Sequence, residues 1–196
     1  MNSNRTRRLR WAIYITLLVQ VIAVLYTLFQ MPEPGLGMLG RGAALFGYTA
    51  LFWSILSSEY MREMRKVFGR PFLKIHHSLA VIAWGLILTH PVSFALLSKD
   101  ATVLVPVFSP FRTFLQLAGR PALYLVGVAT VAGLLRRSIK KNWKVVHWLN
   151  YMAFLLVFIH AWLIGTDLAS GLLRFIWATM AAIVLIVFAR KRLGRQ

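Results

Sequence analysis

Long apolar runs alternate with short basic clusters along this chain. Six runs can be drawn, over residues 11–31, 40–56, 75–97, 121–135, 145–164 and 172–189. Most approach the roughly 20 residues a helix needs to cross a hydrocarbon core. The fourth is short, but Arg120 and Arg136 at its ends can snorkel toward headgroups. The pattern predicts an all-α, six-helix transmembrane bundle. The first run has the basic start of a signal peptide. It is longer than a typical signal-peptide core and no small-residue cleavage site follows it, so a retained helix is expected.

The polar segments between the runs set an orientation. Arg5, Arg7, Arg8 and Arg10 precede the first run, and Arg62, Arg65, Lys66, Arg70 and Lys74 lie between the second and third. Arg136, Arg137, Lys140, Lys141 and Lys144 lie between the fourth and fifth, and Arg190, Lys191, Arg192 and Arg195 follow the sixth. Together they hold most of the 23 Lys and Arg residues. With six crossings all four clusters fall on one side, whereas an odd number would scatter them. The positive-inside rule then predicts that both termini are cytoplasmic. The expected organisation is one integral membrane domain, 1–196, with a basic start at 1–10 and a basic tail at 190–196.

Composition agrees with a membrane protein: 59% of residues are hydrophobic and the mean hydropathy is +0.67. A formal charge of +18 would otherwise suggest nucleic acid. Here the charge sits between apolar runs, as a topology signal, and no nucleic acid partner is expected. Cys is absent, which excludes disulfides, iron–sulfur clusters and c-type heme attachment.

All five histidines fall on two of the runs. His76, His77 and His90 belong to the third, and His147 and His160 to the fifth. Imidazole inside a membrane is costly unless it is paired or ligated. The two runs have the same direction, so His76, His77 and His147 lie at one depth and His90 and His160 at another. Fourteen residues rise about 21 Å, enough for two stacked porphyrins. Two b-type hemes are therefore expected, one on His76 and His147 and one on His90 and His160, with His77 an alternative to His76. His76 and His90 return to within about 40° of one helix face, alongside Ala80, Ala83 and Ile87. The interval of 13 between His147 and His160 leaves about 140° of mismatch, so the fifth helix must bend, bulge or present its ligands at different angles. Pro91 is expected to kink the third helix, and Trp84, Trp148 and Trp162 to pack or anchor at interfaces. The segment 98–119, with Val103–Pro106 and Phe108–Phe111, is expected to be an interfacial loop covering the outer cofactor.

At these residues the chain resembles the ferric reductase-like transmembrane superfamily. The intervals 14 and 13 match the oxidases of that group. The stretch from Asn142-Trp143-Lys144 through His147, Asn150 and Tyr151 to His160 resembles the heme-binding membrane subunit of the periplasmic methionine sulfoxide reductase system (the MsrQ or YedZ family). The resemblance covers about residues 40–190 as topology and is sharp around 74–91 and 142–162. It implies electron transfer across a bacterial inner membrane, from a cytoplasmic-side flavoprotein or quinol donor to an outer acceptor such as a periplasmic reductase subunit. FMN is a further candidate cofactor, although the family's flavin site does not transfer residue by residue. Larger relatives carry a nicotinamide-binding domain after the sixth helix. This chain stops at Gln196 and is expected to need a separate donor.

The basic clusters suit heme propionates or an acidic donor, and contact with anionic lipid is their plainer role. Direct ferric-chelate reduction is an alternative outcome. A metal or proton transporter with a histidine relay, or a heme-free structural subunit, belongs to other classes. Transporters commonly bury carboxylates at the midplane. Glu33, Glu59, Glu63, Asp100 and Asp167 are all expected at or beyond helix ends, so no proton-transfer group is predicted mid-span.

Overall fold

The structure, a computed structural model, describes residues 3–30, 32–69, 72–169 and 171–193. Met31, Arg70 and the tail beyond Leu193, including Arg195, lie outside the described residues. Among the described residues every regular element is helical. Four helices are long and apolar enough to cross a membrane: Asn4–Gln30, Leu73–Ser98, Arg136–Ile164 and Gly171–Arg190. They mark the chain as a membrane protein. The second run is long, but Arg41 and its glycines and serines dilute its apolar character. The fourth, Gly119–Leu134, is a shorter apolar helix. The chain divides into two compact units, the first ending at His90 and the second starting at Pro91.

In the first unit α1 (Ser3–Gln30) and α2 (Leu36–Glu59) are joined through Pro32, Pro34 and Gly35. Gly35 has φ +56°, a conformation that suits a residue without Cβ. The pair buries Ala23, Val24 and Leu28 with Leu45, Tyr48 and Phe52. Trp53 Nε1 donates to Gln20 Oε1 at 2.8 Å, so these two polar groups satisfy each other within apolar helices. Arg41, buried in α2, lies 3.9 Å from Glu33. The chain then breaks at Tyr60 into α3 (Met61–Phe68), a short helix that buries Met64 and Val67 and presents Arg62, Arg65 and Lys66. Gly69, left-handed with φ +64°, ends it.

The helix α4 (Phe72–Ser98) runs on through Pro91 as one continuous helix. Its first part meets α2 closely. A Cβ on Gly47 would stand 3.3 Å from Leu86 Cβ and 3.4 Å from the Ile87 nitrogen. Gly40, Gly47 and Ser54 recur every seventh residue along α2 and are all buried. Such small-residue seams let helix backbones approach where no hydrophobic effect drives them together.

In the second unit α4 ends in a Schellman turn, with Lys99 left-handed at φ +53° and the Asp100 N–H bonded to the Ala95 carbonyl at 3.2 Å. Asp100 caps the following single turn. Both the Thr102 hydroxyl and its backbone N–H donate to the Asp100 carboxyl and hold it below the ordinary carboxylate range. The segment 98–119 is more ordered than a covering loop: Ala101–Leu104 form a 3₁₀ turn and Phe111–Gln116 form α5. Pro110 precedes that helix, where its missing N–H costs nothing. Phe114 stacks between Phe108 and Phe111. Arg120, expected to snorkel, instead donates to the Thr102 and Val105 carbonyls at 3.1 Å each, and the Tyr124 hydroxyl to the Leu104 carbonyl at 3.1 Å. The fourth apolar run is thus entered through helix from residue 111.

There follow α6 (Gly119–Leu134), α7 (Arg136–Ile139), α8 (Trp143–His147), α9 (Leu149–Ile164) and α10 (Gly171–Leu193). A stripe of Ala118, Ala122, Val126, Ala129 and Ala132 buries against α8 and α9, where Ala153 and Phe154 are fully buried. Leu173, Trp177, Met180 and Val184 of α10 complete this core. Large apolar side chains remain outside, including Val81 (72% exposed) and Phe175 (71% exposed). Apolar exterior faces of this size fit a lipid solvent.

Because Gly47 lies under backbone as well as side chain, Gly47→Val is expected to lower the unfolding free energy by about 1–3 kcal/mol, read from denaturant unfolding in detergent micelles. An unchanged midpoint would show that α2 and α4 are not in close contact there.

Candidate heme-ligand site

Four imidazoles share one arrangement, and it is built separately in each unit. In the first, His76 Nδ1 donates to the Ser54 carbonyl at 3.2 Å and His90 Nδ1 to the Gly40 carbonyl at 3.0 Å. In the second, His147 Nδ1 donates to the Ala129 carbonyl at 2.8 Å and His160 Nδ1 to the Gln116 carbonyl at 2.6 Å. All four side chains are half-buried.

The acceptors keep the intervals of the donors. Gly40 and Ser54 are 14 residues apart, as are His76 and His90. Gln116 and Ala129 are 13 apart, as are His147 and His160. Each pair runs antiparallel: one register brings both histidines of α4 onto carbonyls of α2, while His147 of α8 meets α6 and His160 of α9 meets the end of α5. A helical carbonyl can accept twice because it has two lone pairs. The Gln116 carbonyl lies at the last residue of α5, a helix end where acceptors lack intrahelical donors.

Glycine makes the approach possible in the second unit. A Cβ on Gly119 would stand 3.1 Å from the His160 ring, and one on Gly133 would stand 3.2 Å from His147 Nδ1. The imidazoles therefore seat against bare backbone at both ends of α6. The 13-residue interval is accommodated at Trp148, where the run divides into α8 and α9. The Trp148 N–H bonds to both the Lys144 and Val145 carbonyls, and the Tyr151 N–H turns back to Trp148 at 2.9 Å. The Asn150 amide donates to the His147 carbonyl at 3.0 Å. This tightening to three-residue bonding advances the helix faster per residue and takes up part of the angular mismatch.

His77 differs from the other four. Its side chain is exposed, and its ring lies tilted against His76 with centroids 6.1 Å apart. Among the described residues it has no carbonyl anchor. Around His76, the Ser54 and Ser57 hydroxyls also lie 3.4 and 3.5 Å from Nδ1. Of the tryptophans, Trp162 carries the Arg174 guanidinium 4.2 Å above its ring, while Trp84 is half-buried on α4.

The chemical consequence is a fixed tautomer. An Nδ1–H committed to a carbonyl places the ring lone pair on Nε2 and fixes the orientation of the ring. Among the described residues no group of three or more His, Cys, Asp or Glu gathers. Each imidazole anchored in this way could supply one ligand to a metal such as a heme iron. The seating glycines and the acceptor carbonyls were not singled out from sequence. The acceptors repeat the histidine intervals of 14 and 13, whereas Gly119 and Gly133 are 14 residues apart against the 13 of His147 and His160.

Residues 36–167 match the family described as "Domain of unknown function (DUF8596)", and the chain belongs to it. The matched region runs from α2 to the turn after α9 and includes all five histidines. No curated protein and no solved structure matches the chain.

Histidine-selective ¹⁵N NMR of the heme-free protein is expected to report neutral Nδ1–H rings at His76, His90, His147 and His160. Nε2–H signals at two or more of them would contradict the carbonyl anchoring.

Proposed function

We propose that this member of a family of unknown function is a membrane electron-transfer subunit carrying two b-type hemes. His76 and His147 would hold one, and His90 and His160 the other. The observation that supports the reading is the common anchoring of four imidazoles, each with Nδ1 on a helix carbonyl at matched intervals. Bound heme would supply reversible one-electron exchange at its iron. The chain's part is to hold Nε2 in position through the carbonyl behind each ring. Gly119 and Gly133 let two rings lie against the backbone, and Asn150 steadies the turn that aims His147.

His76 is proposed over His77 because it is the anchored, half-buried member of that pair. The bundle is proposed to have six spans with the basic clusters on the cytoplasmic side, in the inner membrane of a bacterium. Electrons then enter from a cytoplasmic-side flavoprotein or quinol and leave to a periplasmic acceptor. The resemblance around His147 to His160 favours a periplasmic oxidoreductase such as a methionine sulfoxide reductase as that acceptor.

The test is heme stoichiometry. Protein purified from heme-replete cells is expected to give b-type difference bands and about two hemes per chain by pyridine hemochrome. His90→Ala and His160→Ala should each remove about one heme, while His77→Ala removes none. Heme content unchanged in all four single ligand variants, or a colourless preparation, would overturn the proposal.

The seats give an independent prediction. Gly119→Leu should deplete the heme on His160 and Gly133→Leu the heme on His147, each leaving the other spectrally intact. Full occupancy in both variants would remove the glycines from the account.

A further inference from the structure

We propose that the cleft between α1 and α3 holds the phosphate head of an anionic phospholipid. The heme reading plays no part in this proposal. The cleft is an open depression of about 610 Å³ lined by Arg5, Arg8, Leu9, Ala12, Glu63 and Lys66. Three cations and one carboxylate belong to its lining. Among the described residues none of these cations is ion-paired with Glu63, and the ion pair seen in this unit is Arg41 with Glu33. Like charges gathered in one depression repel unless an anion lies between them. Arg5 and Arg8 also project from the opening turns of α1, a 28-residue helix, where the backbone dipole favours negative charge.

The shape of the cleft selects lipid over free phosphate. Arg5, Arg8, Leu9 and Ala12 follow one another at helical spacing, so the wall changes from charged to apolar along the axis of α1. Farther along the same helix the exposed Val19 continues that wall, and an exposed apolar flank of Trp11, Ile15, Leu18 and Ile22 lies about 100° round the helix from it. A diacyl anion would place its phosphate among the cations and its chains over Val19 and round toward that flank. The opposite wall is α3, which buries Met64 and Val67 and carries basic residues on its other side, as a helix lying in the interface does. Tyr14 and Phe68 meet edge to face at 6.1 Å and tie the two helices together.

Lipid retention by the full-length protein in detergent, measured by native mass spectrometry, tests the assignment. Phosphatidylglycerol is the probe and phosphatidylcholine the reference. Wild-type protein is expected to prefer phosphatidylglycerol. The variant Arg5→Gln/Arg8→Gln/Lys66→Gln should lose on the order of a hundredfold in affinity, since each cation near a membrane surface contributes about fivefold. Removing as much charge elsewhere, with Lys140→Gln/Lys141→Gln/Lys144→Gln, should leave that binding in place. Equal retention by both variants, or equal loss, would overturn the proposal. Glu63→Gln is a gain-of-binding check and should tighten retention about fivefold; unchanged affinity would count against the cleft. Millimolar inorganic phosphate should not displace the lipid. Displacement with no preference between the two lipids would make the cleft a phosphate site and reject the lipid assignment.

Discussion

The hydrogen bond from an imidazole Nδ1–H to a carbonyl on the adjacent helix is the constraint on which the rest of this structure depends. It sets helix register, because one carbonyl per histidine must arrive at the right height. It sets helix separation, because a ring can reach backbone only where the neighbour is narrow. It also sets chemistry, because the ring nitrogen left with the lone pair is Nε2. The pair α2 with α4 meets this constraint twice, and the α8–α9 segment meets it once on α5, at Gln116, and once on α6, at Ala129.

The small residues of α2 and α6 follow from it. In lipid there is little hydrophobic gain from pressing two apolar helices together, so close packing rests on van der Waals contact and polar pairing. Gly40, Gly47 and Ser54 open α2 along one seam, and the alanine stripe with Gly119 and Gly133 opens α6. Elsewhere the same economy of polar groups holds. Gln20 and Trp53 satisfy each other, and Thr27 and Thr49 return their hydroxyls to carbonyls four residues back in their own helices. Polar side chains in this membrane protein are admitted where a partner waits.

The interruption at Trp148 is the price of an interval that does not fit the helix. Thirteen residues at 3.6 per turn do not return to one face, and a regular helix would turn one histidine away from α6. A short stretch of tighter bonding, supported by Asn150, lets both His147 and His160 reach that neighbour. The family match spans these elements while α1 and α10 lie outside it. The first of those outer helices instead contributes the basic cleft against α3.

Hydrophobic run length and histidine spacing were legible without coordinates, because both are properties of one segment at a time. The long apolar helices, the separation of five histidines onto two of them, and the irregularity forced by the 13-residue interval all follow from helical period and bilayer thickness. The choice of His76 as the anchored ring did not follow, since His76 and His77 differ by one position and only the neighbouring helix distinguishes them. The carbonyls of Gly40, Ser54, Gln116 and Ala129 were equally hidden, because every residue carries one and sequence does not say which will face a ring. Helix α5 and the engagement of Arg120 were also decided by packing, through stacked phenylalanines and loop carbonyls distant in sequence. Local chemistry named the ligand candidates, and the tertiary structure selected their partners because hydrogen bonds between helices depend on register and approach that no single segment contains.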